Sequence, residues 1–174
     1  LRFRQVPPLL VPLGDLVDPD DARRDTDIVQ AALDAYAASL DEDRRCLFEQ
    51  FRFVDLARKV VGVGSVGTRA WIALFLGIDN VDPLFLQIKE AQQSVLERFV
   101  GKSEYGNCGQ RVVAGQRLMQ ASSDIFLGWQ HTKAGIDGVE RDFYVRQLKD
   151  WKGSLAFEQT APPGATAYGR ACGW

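Results

Sequence analysis

Residues 62–67 read Gly62-Val63-Gly64-Ser65-Val66-Gly67, a G-x-G-x-x-G run set between two apolar stretches. Glycines at this spacing let backbone N–H groups approach phosphate oxygens with no Cβ in the way. Two phosphate-binding architectures share the pattern, and a glycine hairpin that binds no nucleotide is a third reading. The residues after Gly67 separate them. A dinucleotide-binding turn opens into a helix whose N-terminus holds the pyrophosphate. Here the continuation is Thr68-Arg69-Ala70-Trp71-Ile72-Ala73-Leu74-Phe75-Leu76, apolar all round and broken by Gly77. That segment predicts a strand, and with it a loop joining two antiparallel strands over the nucleotide phosphates.

In that arrangement a lysine on the next strand reaches the α- and β-phosphates. Lys89 holds that place, in Leu84-Phe85-Leu86-Gln87-Ile88-Lys89. A charged group on an apolar strand is costly unless a charged partner or a phosphate meets it; the plain alternative is a strand-end lysine reaching to water. Period two puts residues 84, 86 and 88 on one face and 85, 87 and 89 on the other. The first face is expected to pack on a helix, and the face of Gln87 and Lys89 to border a cleft beneath the glycine loop. Glu97, with Gln116 and Gln120 as rivals, is the candidate partner that orients Lys89. Arg146, mid-strand, is a candidate for a buried pair with Asp124 or Asp142.

Prolines 7, 8, 12 and 19 make residues 1–19 an extended lead-in with an apolar Leu9-Leu10-Val11 patch. Ile28, Ala31, Ala32 and Ala35 recur at helical spacing, and a second helix starts near Asp41. Strands are predicted over 53–61, 68–76, 84–89, 124–130 and 142–148. Helices are predicted over 90–100 and 110–122, the latter with Val112, Val113, Leu118 and Met119 as core contacts. Residues 149–166 read as a linker, and 167–174 as the start of a helix. The expected fold is α+β: an antiparallel sheet of about five strands with one packed helix, preceded by two helices. It divides into 1–52, a nucleotide-binding lobe over 53–154, and 155–174.

Composition narrows the function classes. Twenty-one Lys and Arg against 23 Asp and Glu in 174 residues leave no basic excess for a nucleic-acid surface. No apolar run reaches the roughly 20 residues of a membrane span. Three separated cysteines, 46, 108 and 172, with no CxxC, argue for a cytoplasmic protein without a zinc site. The single histidine, His131, lies in a polar stretch that reads as a surface turn.

Four runs carry a resemblance: residues 57–69, 84–91, 109–129 and 142–154. On these the chain resembles the uncharacterised bacterial family called domain of unknown function 2252. The resemblance implies a distant relationship to protein and aminoglycoside kinases, hence the N-terminal-lobe fold, ATP and Mg²⁺ as cofactors, and a nucleotide and an acceptor substrate as partners. It places Gly62, Gly64, Ser65, Gly67, Gln87 and Lys89 at the nucleotide, Lys89 as the catalytic lysine. It also implies an internal part of a longer protein, with a Gly-Asp-x-His motif and the metal-binding aspartates upstream. Two positions depart from the kinase pattern. Arg69 stands where a small apolar residue is usual, and Gln87 where alanine meets adenine. A kinase-shaped binding or scaffold domain is therefore the rival class, and a dinucleotide binder the second. A lobe cut from its partner is also expected to self-associate through Leu86, Ile125, Leu127, Leu148 and Trp151.

Overall fold

The computed structural model describes residues 1–17, 21–60, 67–79, 81–148 and 160–173. Among them lie six strands and five α-helices: β1 (Leu10–Pro12), α1 (Ala22–Ala38), α2 (Glu42–Phe48), β2 (Arg52–Lys59), β3 (Ala70–Leu76), β4 (Pro83–Ala91), α3 (Glu97–Val100), α4 (Cys108–Met119), β5 (Gly128–Thr132), β6 (Arg141–Gln147) and α5 (Pro162–Cys172). The strands form one sheet in the order β1-β2-β3-β4-β6-β5, and every neighbouring pair is antiparallel. The mixed architecture is the α+β class expected, with a sixth strand, β1, in the proline-rich lead-in.

Local chemistry explains most elements. β3 is apolar throughout because both its faces are covered; Ile72, Ala73, Leu74 and Phe75 are all buried. α4 opens on Asn107, whose side chain accepts from Gln110 N at 2.9 Å, a standard N-cap. α5 starts with Pro162 and Pro163, residues that suit the first helical turn. That helix begins inside the stretch that reads as linker and upstream of the predicted 167.

The main core lies between one sheet face and α1 with α2. Tyr36, Leu40 and Phe48 meet Leu56, Ala73, Phe75, Leu84, Leu86, Phe126 and Val145. Phe48 is its centre, edge-on to Tyr36 and Phe75 at 5.1 Å each. Residues 84, 86 and 88 do share a helix-covered face, but the covering helices are α1 and α2 rather than the helix expected over 110–122. α4 packs instead against β5, β6 and β4. Its N-terminus binds Asp142, which pairs with Ala91 and so lies on the face of Gln87 and Lys89.

Other expectations need correction. On α1 the inward stripe is Val29, Leu33, Tyr36 and Ala37, while Ala31 and Ala35 point to solvent. Leu118 and Met119 are 85% and 89% exposed, since α4 buries the side carrying Gly109 and Val113. Residues 90 and 91 continue β4, and the helix predicted over 90–100 shrinks to Glu97–Val100. β5 starts at Gly128, four residues after the predicted 124, and takes in His131 and Thr132. Leu86 and Leu127, expected in a self-association face, are buried within the chain; Trp151 lies outside the described residues.

Candidate functional site

Cross-strand register builds the Lys89 face. Lys89 stands opposite Ala70 on β3 and Tyr144 on β6; Gln87 stands opposite Ile72 and Arg146. Directly opposed residues share a face, so Ala70, Gln87, Lys89, Tyr144 and Arg146 lie on one side of the sheet. Gly67 has φ of +85°, the left-handed region that glycine enters without strain, three residues before β3 begins. Gly62, Gly64 and Ser65, and with them the position of Lys89 beneath the loop, lie outside the described residues. Gly67 leads into a strand, whereas a dinucleotide-binding turn leads into a helix.

Gln87 is buried, and its Oε1 accepts from Arg146 Nη2 at 3.3 Å and Nε at 3.4 Å. Arg146 therefore meets an amide on the neighbouring strand. Its two proposed carboxylates are engaged elsewhere. Asp124 accepts from Phe126 N and Gln147 N, and Asp142 from Asn107 Nδ2 and Cys108 N. An open groove of about 760 Å³ runs beside Arg146, bordered by Gln116, Gln120, Ser122 and Leu148. Thus Gln116 and Gln120 line a cleft at the end of the Gln87–Arg146 pair. Lys89 itself is half-buried. Glu97 sits in its own turn, its carboxylate accepting from Gln93 Nε2 at 2.8 Å and Ser94 N at 3.3 Å. The Gln93 hydrogen bond, ahead of the other influences, holds the Glu97 carboxyl below its ordinary value.

Arg69 lies on the opposite face. Its guanidinium reaches Asp137 at 2.8 Å and Glu90 at 3.7 Å, and Arg141 bridges the same two carboxylates at 2.6 and 3.5 Å. The pairing with Arg141 pushes the Asp137 carboxyl down to about 2. On the Lys89 face the corresponding position is filled by Ala70, which is small and apolar. Arg69 therefore does not intrude on that face. Sequence reasoning missed this four-residue network. Its one local trace is the Asp137-to-Arg141 spacing.

His131 is no turn residue. It sits in β5 with Nδ1 2.8 Å from Asp142 Oδ1 and Nε2 3.1 Å from Glu140 Oε1. The Cys108 thiol, half-buried beside Asp142, is raised above its ordinary pKa chiefly by burial and then by that carboxylate, the opposite of an activated nucleophile. Among the described residues no group of three or more His, Cys, Asp or Glu is placed to hold a metal ion, and no helix is long and apolar enough to cross a membrane.

No curated protein and no solved structure matches the chain. One family model does, over residues 1–174, and the chain thereby belongs to the bacterial family described as "uncharacterized protein conserved in bacteria (DUF2252)".

Proposed function

We propose that the chain forms the nucleotide-binding lobe of a kinase-like, ATP-dependent phosphotransferase. The observation that carries this reading is the placement of Lys89. It is a half-buried lysine on the third strand of an antiparallel meander, β2-β3-β4, whose first two strands are joined by the glycine segment. A lysine held against a sheet face is a point charge suited to the α- and β-phosphates of ATP. The backbone N–H groups of Gly62, Gly64, Ser65 and Gly67 would supply the other phosphate contacts. Gln87, with Arg146 against its amide, offers hydrogen bonds to a base edge where kinases offer only an alanine. Mg²⁺ would be held by aspartates that the family resemblance assigns to sequence outside these residues, which makes the 174-residue chain one part of the working enzyme.

A non-catalytic, kinase-shaped binding domain is the competing reading, and one observation favours it. The Arg146 contact already occupies the Gln87 carbonyl oxygen that a base would use. Calorimetric titration of the full-length protein with ATP and Mg²⁺, beside Lys89→Ala, separates the two. The enzyme reading expects saturable binding that weakens at least tenfold in the variant. No binding by the wild type leaves the binding-domain reading in its place.

A further inference from the structure

We propose that the cavity between α1 and the sheet binds a small amphipathic carboxylate, an alkyl or aryl body with one anionic end. The site is on the sheet face opposite Lys89 and is independent of the nucleotide reading. The cavity holds about 270 Å³. Its walls are apolar: Val29 and Leu33 from α1, and Trp71, Ile88 and Phe143 from three adjacent strands. A dry apolar cavity of roughly 150 Å³ accepts benzene, so this one has room for a body of about eight to ten carbons. Few polar groups on a mostly apolar lining is the usual character of a small-molecule site.

Its polar groups select the head. Arg58, Arg69, Arg141 and Asp137 all border the space. Among the described residues Glu90 and Asp137 are taken up by Arg69 and Arg141, and Arg58 is left without an ion pair. The rim thus carries three guanidinium groups against two carboxylates, with the surplus at Arg58. Gln130 is the buried polar residue of the lining. It is only 7% exposed and lines the same cavity. Its Oε1 accepts from Thr132 Oγ1 at 2.8 Å. A carboxylate brings two oxygens, which match the guanidinium fork of Arg58 in a charge-assisted contact. Four ion-pair contacts join Arg69 and Arg141 to Glu90 and Asp137 beside it, so that the Arg58 charge is the one left for the ligand among the described residues.

The probes are octanoate and 1-octanol, titrated calorimetrically into the full chain, with Arg58→Gln and Ala32→Phe as variants. Ala32 lines the cavity from α1, so a phenyl ring there fills it. The proposal expects one octanoate per chain and octanol at least tenfold weaker. Arg58→Gln should bring octanoate down to the level of octanol, and Ala32→Phe should bind neither. Arg58 is exposed, and its replacement leaves the core intact, so the test stands even if Ala32→Phe fails to fold. No saturable octanoate binding, an Arg58→Gln chain that keeps the preference, or a folded Ala32→Phe chain that still binds would each overturn the proposal. ATP binding, present or absent, bears on the other face alone.

Discussion

Asp142 Oδ2 accepts a hydrogen bond from the backbone N–H of Cys108 at 2.7 Å, which fastens β6 to the first turn of α4. The same carboxylate accepts from Asn107 Nδ2 at 2.7 Å and meets His131 Nδ1 at 2.8 Å. An anion at a helix N-terminus satisfies an orphan N–H and complements the helix dipole. Asp142→Ala should cost about 2 kcal/mol, read as a lowered urea midpoint, and Asp142→Asn should fall between it and wild type. An unchanged midpoint in Asp142→Ala would show that the cap carries no weight.

Tyr36 is buried on the inward side of α1 and donates its hydroxyl to Phe126 O at 2.7 Å. Tyr36→Phe leaves that carbonyl without its donor and should cost about 1–2 kcal/mol at neutral pH. Burial, and after it the Asp124 charge, raises the phenol well above its ordinary 10. The folded state therefore disfavours tyrosinate. The contribution is complete below pH 10 and is lost as pH rises beyond it, where the unfolded chain ionises. The wild type should lose more stability than Tyr36→Phe between roughly pH 9 and pH 11 in parallel denaturation curves; equal losses would contradict the assignment.

Gly128 and Gly115 should respond to alanine with opposite signs. A Cβ on Gly128 would lie 2.6 Å from Ser39 Oγ and 2.8 Å from Tyr36 Cε2, displacing a hydroxyl that accepts from Trp129 N. Gly128→Ala should destabilise by about 2 kcal/mol. Gly115, inside α4 with nothing within 4 Å of its added Cβ, should gain about 0.5–1 kcal/mol from helix propensity. Thermal melts of the two variants give both signs in one comparison.

Asp137, held down to about 2 by Arg141, contributes stability that is fully present above its ordinary 3.8 and is lost as pH falls toward 2. Because the carboxylate is 42% exposed, solvent and salt screen the pair, and the effect should not exceed about 0.5 kcal/mol. Asp137→Asn should match wild type at roughly pH 2 and fall below it at roughly pH 6 in low salt. A constant difference across that range would assign the effect to packing.

The residues that spoke plainly were those whose environment is set by their own periodicity. The alternation of Leu84, Leu86 and Ile88 against Gln87 and Lys89 marks a two-faced strand, and β4 has those faces. It does not say which helix covers which face, because that depends on how the chain returns. Tyr36 and Phe48 reach the Leu86 face only through the turn between α1 and α2. Glu90 and Ala91 look helical in a run of Glu, Ala and Gln. They stay in the strand because Glu90 is sealed by Arg69 and Arg141, 21 and 51 residues away, a pairing no local window contains. The same non-locality hides the cavity. β1 escapes notice because three residues among prolines show no alternation, and its partner is β2. Lys89 is legible as a candidate site residue for one reason: it is a charge on an apolar strand.

The central claim is that Lys89 meets the phosphates of a nucleotide. An acyl-phosphate derivative of ATP, which acylates a lysine lying against the phosphate chain, tests it on the full-length protein with peptide mass spectrometry. Acylation is expected at Lys89 and should be suppressed by excess unmodified ATP, with Lys59, Lys102 and Lys133 at background. Labelling spread evenly over these lysines, or labelling of Lys89 that excess ATP does not reduce, would contradict it.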